Sequence, residues 1–239
     1  MKNLLFIILL NCVTLSAQEK LTINYEFRNE IDTTGVTNPE MLEDFQAQNS
    51  VHLTFQLTTS KNESNFKRIN REKDIKPPKY IDNGLLNFNL TLYKNLTESY
   101  TLTTEVYKNK TYLVKDLIDK KLWNFIDETS TLLGYEIKKA TYMQNGILIE
   151  AWYAPALPYQ NGPDEYSGLP GQILKVSYTI LNAVPLESFH YTAIKIDNKS
   201  KLVFSKPTKG QIISREDYET MLMKIQPSIP TKELGNSIK

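Results

Sequence analysis

Apolar and polar residues alternate along most of the chain, the period of a strand that buries one face. Leu21, Ile23, Tyr25 and Phe27 share one face of a first segment, and Val51, Leu53, Phe55 and Leu57 one face of a second. Leu86, Phe88, Leu90 and Leu92 repeat the pattern. Residues 100–114 read as two strands meeting at Lys108–Asn109–Lys110, or as one long strand with a bulge. Residues 134–154 predict a hairpin, because Asn145–Gly146 sits between two alternating runs and tolerates the positive φ of a type I′ turn. Residues 171–180 and 189–196 predict a further pair.

Helical periodicity is confined to two places. Residues 39–48 have Asn38 to cap them and Pro39 at the first position. Residues 214–226 have Ser214 as cap, Asp217 three residues on, an apolar stripe of Tyr218, Met221, Leu222 and Ile225, and Pro227 as the stop. Residues 70–84 carry Pro77–Pro78 amid charges and read as a loop, and the tail after Pro230 as disordered. The fold class implied is mainly β: a single domain of roughly eight to ten strands in a curved antiparallel sheet, as an open barrel or a two-sheet sandwich, with one or two short helices.

The N-terminus changes the cellular picture. Lys2, the apolar run Leu4–Leu10 and the small pair Ser16–Ala17 have the order of a secretory signal peptide. The apolar run is too short to span a membrane, and no later one replaces it, so no transmembrane span is expected. Cleavage is placed after Ala17. Leu10 and Asn11 before Cys12 do not form the small-residue approach of a lipid-bearing cysteine. Export to the periplasm or cell envelope, or beyond the cell, follows. The division is residues 1–17 as signal, 18–210 as the β domain, and 211–239 as a C-terminal helix and tail. Cys12 is the single cysteine, so the processed chain has neither disulfide nor thiolate ligand. Removal of Lys2 leaves basic and acidic residues balanced, which argues against a nucleic-acid partner.

One stretch breaks the alternation. Residues 152–174 hold Trp152, Tyr153, Pro155, Pro158, Gly162, Pro163, Tyr166, then Gly168–Leu169–Pro170–Gly171 and Gln172–Ile173–Leu174. This run resembles the signature of the GLPGLI family of exported bacterial proteins. Gln172 stands where that pattern has leucine, and Ile137 where a cysteine often stands. The resemblance covers about residues 130–185 and implies export and a β-rich body, with no activity attached. Independently of it, Pro170 sets φ and holds Leu169 extended, while the flanking glycines allow positive φ or close backbone approach. That predicts a structural corner, formed by Gly162, Pro163, Gly168, Leu169, Pro170 and Gly171, with Leu169 and Trp152 packed beneath it. The functional alternative places Trp152, Tyr153, Tyr159 and Tyr166 along a binding cleft.

Catalytic constellations are scarce. His52 and His190 have no zinc spacing, and there is no GxSxG elbow and no phosphate-binding glycine loop. No cofactor, metal site or catalytic residue is assigned. Asp164, Glu165 and Glu150 keep open a carboxylate-dependent hydrolase with a cleft near Trp152 and Asp164. Asp32–Thr33–Thr34 matches a three-residue O-glycosylation motif. The reading drawn is a non-enzymatic envelope protein that binds an apolar small molecule or a partner protein. The hydrolase and a purely structural interaction module are the alternatives.

Overall fold

Among the described residues the segments hydrogen-bond into one sheet of twelve strands in the order β12-β6-β5-β4-β3-β2-β1-β11-β10-β9-β8-β7. The strands are β1 (Leu21–Ile31), β2 (His52–Thr59), β3 (Glu63–Ile69), β4 (Thr91–Asn95), β5 (Tyr100–Tyr107), β6 (Lys110–Leu117), β7 (Asn124–Leu132), β8 (Tyr135–Gln144), β9 (Ile147–Ala154), β10 (Gln172–Ile180), β11 (Glu187–Asp197) and β12 (Gln211–Ser214). Among the described residues two helices accompany them, α1 (Pro39–Asn49) and α2 (Arg215–Ile225). This computed structural model describes residues 20–71, 91–198 and 206–225. The segment expected to be a signal peptide, Cys12, most of the expected 70–84 loop, the alternating positions Leu86, Phe88 and Leu90 and the expected tail lie outside the described residues. No helix among the described residues is long and apolar enough to cross a membrane.

The sheet is antiparallel except where β12 runs parallel to β6, and it does not close into a barrel. It is strongly curved. The Tyr191 ring on β11 lies 5.7 Å from the Phe66 ring on β3, two strands further than its neighbour β1. Flat strands about 4.8 Å apart would hold those rings roughly 14 Å from each other. The concave face is the core. Leu21, Ile23, Tyr25 and Phe27 are fully buried there, beside Leu53, Phe55, Leu57 and Phe66. The convex face carries Glu26, Arg28, His52 and His190, with Arg28 and His52 both meeting Glu26.

Local chemistry accounts for the connections. The β8–β9 hairpin turns at Asn145 (φ 51°) and Gly146 (φ 79°), and β5–β6 turns at Lys108 and Asn109, also with positive φ. That is the type I′ geometry whose twist suits a two-residue hairpin. Asn38 Oδ1 accepts from the Glu40 and Met41 amides at the start of α1. Ser214 Oγ accepts from the Asp217 amide and donates to its carboxylate at the start of α2. Asp32 Oδ1 accepts from the Thr34 amide, an ordinary local turn within the Asp32–Thr33–Thr34 triplet.

Candidate functional site

The long excursion between β9 and β10, residues 155–171, folds back into the concave face. Leu157 bonds back to Ala154, the Gln172 amide donates to Leu157, and the Ile173 amide to Asn161, so the excursion is pinned at its root. An isolated bridge pairs Asn161 with Ser167, and the Tyr166 amide donates to Pro163 across a turn. Leu169 is fully buried under it, and Leu157, Tyr159 and Tyr166 join the same core. Gly168 takes φ +89°, whereas a Cβ on Gly171 would sit 2.4 Å from the Ala154 carbonyl oxygen. The two glycines of the motif therefore answer different demands, one of torsion and one of contact.

Four side chains hold this segment and the start of β10, Tyr25, Thr59 and Lys94 from the sheet and Trp123 from just before β7. The Tyr25 hydroxyl donates to the Ile173 carbonyl at 2.6 Å and accepts from Gln172 Nε2, giving the polar side chain at that position a buried partner. Asn161 Nδ2 donates to Thr59 Oγ1, and Trp123 Nε1 donates to the Ser167 carbonyl. Lys94, fully buried on β4, donates from one ammonium group to the carbonyls of Gly162, Asp164 and Tyr166 at 2.9, 2.7 and 3.2 Å. The sequence does not mark Lys94 out, since a lysine inside a short alternating run carries no signal of burial.

The sequence-level candidates separate. Tyr153, Tyr159 and Tyr166 are buried on the concave side, with Tyr153 capped by the Phe125 ring at 6.2 Å. Trp152 cannot join them, because neighbouring residues of a strand face opposite ways. It stands half-buried on the convex face, beside Lys139, whose ammonium lies 5.6 Å from its ring and 2.7 Å from Glu150. Trp152 therefore does not lie beneath the corner as the sequence suggested; Leu169 does. The same alternation puts Glu150 outside and the Asp164 loop inside, so the sheet separates Glu150 from Asp164 among the three acids that kept a carboxylate-dependent hydrolase open. Among the described residues no group of three or more His, Cys, Asp or Glu side chains could hold a metal ion.

Asp164 is more than the solvated turn acid suggested by its place after Gly162–Pro163. It is half-buried with φ 48°, and burial, reinforced by Glu165, pushes its carboxyl up to about 7 against the pull of Lys94. A carboxyl raised in the fold binds a proton that the unfolded chain has already lost. Stability from this group is thus full below about pH 4 and is lost as pH rises to about 7. Asp164→Asn, which keeps the shape and tolerates positive φ, is expected to melt higher than wild type at pH 8, by about 1–3 kcal/mol, and to match it near pH 4. Thermal melts of both proteins across that range check this.

Comparisons with known proteins fit this picture of the fold. A family model described as "Protein of unknown function (Porph_ging)" matches residues 107–175, a span that runs from β5 into β10 and includes the whole excursion. No curated protein sequence matches the chain. Two crystal forms of a protein called PNGF-II superpose with TM-scores of 0.54 and 0.55, at 18% and 17% identity, over 86% and 85% of this chain. This chain spans only 34% and 33% of theirs. That likeness is one of fold. An outer membrane lipoprotein-sorting protein domain from Vibrio parahaemolyticus aligns over 87% of the chain at 8% identity, but with a TM-score of 0.28.

Proposed function

We propose that the protein is a non-enzymatic, exported envelope protein that holds a partner protein, and that the partner joins the sheet at β7. The observation that carries this is the state of that strand. Residues 124–131 of β7 are all exposed, although the strand is paired along one side with β8 and ends the sheet. Leu122 and Phe125 beside it are 85% and 58% exposed. An edge of this length presents a row of unpaired amides and carbonyls, the template on which an extended segment of another chain adds a strand.

Charge supports a foreign partner over a second copy. Asp127 and Glu128 sit mid-strand, where the register with β8 is irregular between Phe125 and Thr129. Antiparallel self-pairing about the strand centre would oppose acid to acid, which is unfavourable. A partner segment bearing basic residues meets no such penalty. Trp152 and Lys139 lie two strands and one strand inward on the convex face, and Glu128 bridges to Lys139 at 3.3 Å, so the same acids connect the edge to the Trp152 patch.

Register selects the test. Leu132 and Tyr135 face each other across the two-residue turn Leu133–Gly134, and Ser130 faces Ile137. These are the hydrogen-bonded pairs, so the amides of Thr129 and Thr131 point to the free edge. Thr131→Pro removes an outward donor and leaves the β8 ladder intact. It is expected to change folding stability by less than about 1 kcal/mol, as proline is tolerated on an edge. A photo-crosslinker at Ile126 in the cell envelope should give a protein adduct in the otherwise wild-type chain and lose it in Thr131→Pro. An adduct that survives the proline, or none in the wild type, removes β7 as the docking edge.

A further inference from the structure

The concave face holds a second feature, distant from the β7 edge. Asn29 on β1 is 2% exposed and flanked on its face by Phe27 and Ile31. Neither Nδ2 nor Oδ1 has a partner at full hydrogen-bond geometry, and the Glu187 carboxyl opposite Ile31 is near enough for only a loose hydrogen bond with the amide, which pulls that carboxyl down. A buried amide left this way destabilises the fold, and a leucine there would not. Around it the floor is aromatic. Phe189 faces Asn29 across the β1–β11 ladder, stacks on Tyr178 at 4.6 Å, and leads to half-buried Ile180 and Ile147.

The cover over this end of the sheet is slight. α1 buries none of its own residues and packs chiefly on β1, held at its C-terminal end by Asn49, which exchanges hydrogen bonds with both the amide and the carbonyl of Ile31. Beside it, the 181–186 turn is tied to the end of β1 by the Asp32 amide donating to the Leu186 carbonyl, and it exposes Leu181, Val184 and Leu186. Met41 on α1 is exposed as well.

We propose that Asn29 is the polar anchor of a ligand site beneath α1, for an apolar molecule that carries one neutral amide group, entering between α1 and the 181–186 turn. An amide offers one donor face and one acceptor face, the complement of Asn29 Nδ2 and Oδ1. The flanking aromatic and aliphatic residues receive the apolar body. The neighbouring Glu187 disfavours an anionic head group, and burial raises its own carboxyl.

The test uses the chain without residues 1–17, oleamide as the probe, oleate as its anionic counterpart, and displacement of the neutral dye N-phenyl-1-naphthylamine as the readout. Oleamide should displace the dye saturably, and oleate should bind at least about tenfold more weakly at pH 7.5. Asn29→Leu should lower oleamide affinity by about tenfold or more while melting at or above the wild-type temperature. That pairing of lost binding with kept or gained stability is what a purely structural asparagine does not give. No saturable displacement by the wild type, oleate bound as well as oleamide, or undiminished oleamide binding by Asn29→Leu overturns the proposal. A variant that melts lower than wild type assigns the amide a structural role and overturns it too.

Discussion

Gly171→Ala is expected to destabilise the protein more than a methyl added at any other glycine of the 155–171 excursion. Its new Cβ would lie 2.4 Å from the Ala154 oxygen, 2.7 Å from the Ala154 carbonyl carbon and 3.0 Å from Pro155 Cα. All three are backbone atoms at the end of β9, and no rotamer change moves them. The strand must shift or the corner must open, at a cost of about 3–4 kcal/mol, the upper end of overpacking. For a chain of this size that is roughly a 10 °C loss in Tm. Gly162→Ala meets Ile173 Cβ at 2.8 Å and should follow, since part of that clash is with a side chain. Gly168→Ala has nothing nearer than Trp123 Nε1 at 3.8 Å and suffers only its φ of +89°, for about 1–2 kcal/mol. Melts of the three variants should rank in that order. A Gly168 variant that melts lowest would mean that torsion, not contact, sets this corner.

That ranking shows what the sequence could reveal here. Two glycines around Leu169–Pro170 announce a corner, but nothing in their spacing separates a torsional glycine from one under a carbonyl. Elsewhere legibility followed burial. β1 and β2 alternate because one face meets the core, so their inner residues were readable one by one. β7 was not, because its residues 124–131 are exposed on both faces and no alternation is imposed. β3 has one fully buried large apolar residue, Phe66, too few to set a period. Tyr159 and Tyr166 lie in the excursion and Tyr153 on the strand that enters it, whereas Trp152 neighbours Tyr153 in sequence, a proximity that a strand converts into opposite faces. Asn29 reads as a polar residue between two apolar ones, and only the curvature of the sheet shows that it has no water.

Lys94 is the clearest case of a residue whose role the fold alone reveals, and its replacement is expected to release the excursion. A neutral amine has two protons and an ammonium three, and Lys94 uses three, on the carbonyls of Gly162, Asp164 and Tyr166. Burial pulls its pKa down to about 7, so the ammonium that three donors require carries a penalty, which Asp164 offsets in part. Lys94→Met keeps the length of the stem and deletes every donor. Three carbonyls then face a site that excludes water, and Asp164 loses the cation that draws its carboxyl down. The expected loss is about 3–5 kcal/mol, the range for removing one partner of a buried charged network. The loss should be local in character. Native-state chymotrypsin should cut after Tyr166 in Lys94→Met and not in wild type, because the segment is released before the β1–β2 core opens. In the Lys94→Met background, Asp164→Asn should gain about 1 kcal/mol more at pH 7 than it gains in the wild-type background, because the acid there has lost its cation, and almost nothing near pH 4, where the acid is already neutral. An equal gain from Asp164→Asn in the two backgrounds at pH 7 would show that Lys94 acts through its carbonyl bonds alone and that its charge does not govern Asp164.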